Sequence, residues 1–353
     1  MVGRAFKKRI VFGALLAGLF AALFAATASP LSDATTAPAA PVEIPKVESL
    51  EVTVVVDNFY DFFQKEEKCA KRLTLAAADS FEGVRVQGEM GLAFFITATA
   101  AGKKHTLLMD FGLSPEVYEN NLRRLKLDIA QAEALVLSHG HEDHYAGLPV
   151  ALRLIHGPLY VGGPDVFLHR LLVTPAKTVD MGTLNRAAIE KTGSRVVFTP
   201  QPTAVAGVAL ASGEIARVTD YEKVPAAMKM EKDGALVQDP LTHELALIFS
   251  VGGKGLVVVT SCAHSGVVNT VEYARKITGE SRVLAVIGGM HLTTATDETI
   301  DKTVAALQAM KPTFVAPMHC TGNRALMKLA ALMPDAYVHP SVGTRYIFEG
   351  ARN

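Results

Sequence analysis

"SHGHEDHYAGL", residues 138–148, sets His139, His141 and His144 close together, with Glu142 and Asp143 between them, in a chain that has 11 histidines in all. Three imidazoles this close repel one another when protonated, and they offer a core no apolar surface. Neutral imidazole is the commonest metal ligand, so the crowding points to coordination rather than packing. His139 and His141, two apart in an extended loop, face one ion; Asp143 and His144 face a neighbour. Nitrogen and carboxylate donors suit zinc, with iron and manganese as alternatives.

The surrounding sequence says where this loop sits. "AEALVLS" (132–138) reads as a short buried strand that delivers the chain to His139. The same layout recurs: His264 follows "GLVVVTSCA", His291 follows "VLAVIGGM" and His319 follows "TFVAPM". Taken singly, a histidine at a strand end is a hydrogen-bonded loop residue, and that reading stands beside the functional one for His264 and His291. Four strands that each end in a histidine-bearing loop can bring those loops to one edge of a layered α/β domain, where ligands bind.

Further strands are expected in "SLEVTVVVDN" and in "LAFFITATAAGKKHTLLMDFG", the latter a pair joined by a turn at Gly102. Helical spacing appears in "PEVYENNLRRLKLD", "VVNTVEYARKIT" and "DETIDKTVAALQAM", and Pro115 suits a first turn. Apolar β-runs alternating with amphipathic helices indicate an α/β layered domain. Between Leu148 and Asp239 the pattern weakens, and substrate-shaping loops are expected there.

Of the 353 residues, 49% are hydrophobic and 20% charged, which is ample for a core; the formal net charge of zero provides no basic field for nucleic acid. A small-molecule substrate is the expected partner. Residues 1–28 place Arg4, Lys7, Lys8 and Arg9 before an uncharged apolar run, the layout of a secretory signal peptide cleaved after "ATA". If residues 10–28 stay uncleaved, the same run is a membrane anchor. The chain is therefore expected to be exported, to the periplasm or beyond. Residues 29–46, rich in Ala, Pro, Thr and Ser, read as a flexible tether, and the folded domain is expected over 47–353. Cys69, Cys262 and Cys320 are too few for a disulfide scaffold.

"SHGHEDHYAGL", preceded by "HTLLMDFG", resembles the HxHxDH signature of the metallo-β-lactamase fold superfamily. That resemblance implies an αββα sandwich with a dinuclear metal site at one edge of its two sheets. More narrowly, "VDN", "GEMGLAFFI", "TSCAHSGVVNTVEYARKITG", "VIGGMHL" and "PMHCTG" resemble the group of dihydropteroate-synthase-like metal-dependent hydrolases. This group includes an enzyme joining a dihydropterin to a ribofuranosyl-aminobenzene phosphate. The resemblance implies His139, His141, Asp143 and His144 as ligands and His319 as the final one. It further implies His264 as a ligand and Cys262 as the bridge, with His243 in "DPLTHELAL" an alternative. It leaves His291 beside the ligands or on the substrate, Cys320 as a packed small residue, and Asp110 orienting a ligand histidine. The chain departs at "EMGLA", where Met90 and Ala93 replace a His and a Ser of "EHGLS".

The expected function is hydrolysis of a phosphoester or cyclic ester by a metal-bound hydroxide held between two divalent ions, with Asp143 handling the proton. A dihydropterin-type transferase and a non-catalytic metal-binding protein are the alternatives. A β-lactamase in the narrow sense, which export would suit, ranks lower, because the internal motifs resemble a different branch.

Overall fold

The computed structural model describes residues 40–351 apart from 76, 77 and 79; the expected signal peptide or anchor and most of the tether lie outside the described residues. The tether expected to run to residue 46 ends sooner. Val42 donates its N–H to the Ile277 carbonyl at 2.6 Å, and Val42 and Ile44 pack on the core, because these β-branched side chains have apolar surface to bury.

Strand β1 is Lys46–Val47, β2 Ser49–Val56, β3 Ala70–Lys71, β4 Ala93–Ala100 and β5 Lys103–Met109. β4 and β5 form a hairpin that turns at Gly102, whose φ of 72° suits a residue without Cβ. Helix α1 (Pro115–Arg124), strand β6 (Ala134–Leu137), the short helices α2 (Glu142–Tyr145) and α3 (Leu148–Leu152) and strand β7 (Leu159–Val161) follow.

Next come β8 (Arg170–Val173), β9 (Thr178–Asp180), α4 (Arg186–Lys191), β10 (Val196–Phe198), β11 (Thr203–Val205), β12 (Ala209–Ala211), β13 (Met228–Lys232) and β14 (Ala235–Gln238). The last third holds β15 (Leu247–Val251), β16 (Gly255–Val259), α5 (Val267–Thr278), β17 (Val283–Gly289), α6 (Asp297–Met310), β18 (Phe314–Met318), α7 (Asn323–Leu332) and β19 (Arg345–Glu349).

Two large sheets result. One runs β10-β7-β6-β5-β4-β2-β19-β3; the other runs β11-β12-β15-β16-β17-β18, with β1 added beside β15. The core between them draws on both, with Val52, Phe94, Ile96 and Leu107 from the first sheet and Leu247, Phe249, Val257 and Ile287 from the second. A second core packs α5, α6 and α7 on the outer face of the β15–β18 sheet, through Val271, Val304 and Leu329. A third packs α1 and α3 on the outer face of the other sheet, through Leu122 and Val150. The layers are therefore α, β, β, α. Strands β16 and β17 are apolar throughout because both of their faces are covered.

The stretch expected to be loops instead carries a separate antiparallel sheet, β14-β13-β8-β9. Its strands are three to five residues long and half-buried, too short for alternation to announce them in sequence.

Candidate metal centre

Strands β5 and β6 are parallel, as are β16, β17 and β18. The C-terminal ends of all five therefore deliver Asp110, His139, Cys262, His291 and His319 to one edge of the sandwich. Close backbone approach makes this possible. A Cβ at Gly140 would lie 2.4 Å from the Val166 carbonyl, and one at Gly289 would lie 2.2 Å from the Ser261 carbonyl, so only glycine lets the loops pass. Asp110, His291 and His319 themselves hold φ of 58°, 46° and 50°, a conformation that costs free energy and collects at functional sites.

The side chains converge as two adjoining groups. Donor atoms of His139, His141 and His264 lie within 4.8 Å of one another, as do those of Asp143, His144 and His319. Cys262 sits between the groups: its sulfur is 3.3 Å from His144 Nε2 and also falls within 4.8 Å of the His139 and His144 donors. His139, His144 and His264 are all but inaccessible to solvent, and Asp143 is partly open. Both ring nitrogens of His264 are buried without any hydrogen-bond partner. A buried imidazole with neither nitrogen satisfied is costly unless something else occupies it, and a metal ion is what this donor set fits.

Charge tells the same story. Burial, and then the neighbouring imidazoles, hold His139 and His264 well below the usual histidine range, and burial takes His141 down to about 3. These three are therefore neutral donors. At His144 burial acts in the same direction, but the Asp143 and Asp110 carboxylates outweigh it and push the ring up to about 10. The field at that position favours a cation. Burial pushes the Cys262 thiol up, so its thiolate needs a cation beside it.

A layer of supporting bonds fixes the rings. Asp110 bonds His144 Nδ1 at 2.9 Å and accepts from the Ser138 N–H and hydroxyl, both at 2.8 Å, and from the Ser261 hydroxyl. His319 is held by its N–H donating to Asp57 at 2.8 Å and by Asn58 Oδ1 at 3.1 Å from Nδ1. Glu244 accepts from the N–H groups of His264 and Ser265, each at 2.6 Å.

His243 stands apart from the donor groups. It accepts from the Gly140 N–H at 3.3 Å, and its ring faces the Arg170 guanidinium at 3.1 Å, where a cation already stands. His291 approaches more closely than a remote residue would: its ring centroid is 4.1 Å from that of His264, and its Nδ1 is buried and unpartnered. Cys320, read as packing, turns its sulfur to the Cys262 carbonyl at 3.5 Å and lies within 4.8 Å of the Cys262 and His319 donors. Asp57 and Asn58 lie in the quoted "VDN", but nothing local assigned them a role. Arg170 and Asp239, paired at 2.9 Å behind the histidine loop, carry no sequence signal.

Over the cluster opens a cavity of about 770 Å³, roofed by β8, β9 and the start of β13, with the 57%-exposed Met90 at its rim.

A family model described as the metallo-beta-lactamase superfamily matches residues 86–176. A 7,8-dihydropterin-6-methyl-4-(beta-D-ribofuranosyl)-aminobenzene-5'-phosphate synthase of Methanocaldococcus jannaschii is 32% identical over 243 residues, 67% of this chain and 82% of that protein. The chain belongs to the metallo-β-lactamase superfamily. Within that superfamily its sequence groups with the synthase and with an uncharacterised protein of the same archaeon, 30% identical over 66% of this chain and 86% of that one. The fold is shared with the solved Tm1679, described as a metal-dependent hydrolase of the beta-lactamase superfamily, at a TM-score of 0.65. That match has 22% identity and spans 86% of this chain and all of the other.

Proposed function

We propose that the protein is an exported metal-dependent hydrolase that holds two divalent ions and cleaves an ester linkage, a phosphoester or cyclic ester. His139, His141 and His264 would hold one ion, Asp143, His144 and His319 the other, with Cys262 between them. The observation that carries this reading is His264, whose two buried ring nitrogens have no partner inside a ring of further donors. Imidazole together with sulfur favours zinc over harder ions. Such ions supply Lewis acidity that brings the pKa of water toward neutrality.

The chain's own residues do the rest. Asp110 fixes the tautomer of His144, so that Nε2 faces the donors. Asp143, the one carboxylate of the cluster that reaches the cavity, can hold a proton from the attacking water and return it to the leaving oxygen. His291 lines the cavity beside the donors and is placed to bind the substrate.

The synthase relative favours a second reading, a pterin-type transferase. Met90, in place of a histidine, keeps a third alive, a metal-binding protein without the reaction.

The test is metal content by elemental mass spectrometry of the chain from Ser29, purified without chelator. About two equivalents of zinc, iron or manganese, falling in His264→Ala, support the site. No metal even after reconstitution overturns it. Turnover of any phosphoester or lactone by the loaded protein separates the hydrolase from the other two readings.

A further inference from the structure

We propose that the part of the substrate that does not react is apolar and uncharged, and that the substrate is a carboxylic ester or lactone bearing an acyl chain or ring rather than a compound with a phosphate remote from the reacting bond. This inference rests on the hydrolase reading and names its substrate class.

The cavity has two unlike walls. One is the donor cluster. The other is built by Leu172 of β8, Val179 of β9 and the adjoining Met181, by Met228 of β13, and by Met90 and Leu113 from the opposite side. Methionine adapts its shape to an irregular apolar guest, and three of these six are methionines. The charged groups of the lining outside the donor cluster are Glu142 and Asp180, both acidic. Among the described residues no lysine or arginine lines it.

Cations nearby are committed elsewhere or face another space. Arg170 spends its guanidinium on Asp239 and on the carbonyls of Asp165, Val166 and Leu168. Lys223 faces the adjoining hollow of about 260 Å³, which His291 and Thr294 also border. A phosphate remote from the reacting bond needs arginine, lysine or clustered N–H groups to replace its water. In this cavity it would meet carboxylates instead. An acyl chain loses only water against Leu172 and Met228, and each buried methylene is worth about fourfold in an equilibrium constant.

The reaction balances without a further reagent. The oxygen of water bonds to the acyl carbon, the acyl C–O bond breaks, one proton of the water passes to the leaving oxygen and the other is released to solvent, giving an alcohol and a carboxylate.

The experiment uses the zinc-reconstituted full chain and one chromogenic leaving group throughout. The substrates are the 4-nitrophenyl esters of acetate, butanoate, hexanoate and octanoate, with 4-nitrophenyl phosphate and bis(4-nitrophenyl) phosphate for comparison. We expect kcat/KM to rise at least tenfold from acetate to hexanoate, to exceed that of either phosphate, and to lose its dependence on chain length in Leu172→Asp. A flat series, or faster turnover of a phosphate, overturns the apolar class and leaves the hydrolase reading standing. No turnover of any member by protein with its full metal complement overturns both. Calorimetric binding of the product acids provides a readout apart from turnover: octanoate should bind at least tenfold tighter than acetate, and equal affinity overturns the proposal.

Discussion

Asp110 and His144 are bonded at 2.9 Å through Oδ2 and Nδ1, although 34 residues separate them and neither is accessible to solvent. The bond settles which nitrogen of His144 faces the donors. Asp110→Asn keeps the shape but weakens the orienting bond and removes a negative charge from beneath the site. Metal affinity should fall about 10- to 100-fold. Competition with a chromophoric chelator measures it, and an unchanged affinity would show that Ser138 and Ser261 suffice.

His291→Ala should leave most of the metal in place and lower kcat/KM: its ring borders the cavity, and although its donor lies within 4.8 Å of those of Cys262 and His264, the two groups His139–His141–His264 and Asp143–His144–His319 stay complete without it. Metal analysis beside kinetics decides: wholesale metal loss would make His291 a ligand.

Arg170 and Asp239, each 1% exposed, are a buried ion pair. Removing one partner leaves the other charge uncompensated, so Arg170→Met should cost about 3–5 kcal/mol of stability. Urea unfolding of the metal-free protein reads this directly. The metal-loaded variant should also show weaker binding at His141, since Arg170 packs against Gly140.

His169 ties the small antiparallel sheet together, with Nε2 2.9 Å from Asp180 and Nδ1 3.0 Å from Glu231. Both nitrogens can donate only when the ring is protonated. These bonds, to Asp180 first and Glu231 second, raise its pKa above the usual value. For a raised histidine, the added stability is complete below the unfolded pKa of about 6.5 and is lost as pH rises through the folded value. The roof over the cavity should therefore loosen on the alkaline side of neutrality. The effect is modest because the ring is partly open to solvent. NMR titration should give a His169 midpoint above 6.5 that drops in Asp180→Asn, accompanied by faster amide exchange in β8 and β9 at high pH.

The chain alone determined a good deal here. "SHGHEDHYAGL" announces a metal because crowded imidazoles serve no purpose in a core, and the strands that lead into the histidine loops are legible because β6, β16, β17 and β18 are apolar, almost wholly buried runs. The position of His264 and His319 at strand ends was equally visible. What sequence spacing leaves open is which side chains share an ion, since Cys262, His264 and His243 lie within 22 residues and differ only in where the folded loops point them. The tertiary structure decided that His243 faces Arg170 and that His264 turns two unpartnered nitrogens into the cluster. It also decided the character of the cavity wall. Leu172, Val179 and Met228 belong to strands too short to show a period, and they become one apolar surface only after Leu172 pairs with Val179 on one side and with Met228, more than 50 residues along the chain, on the other.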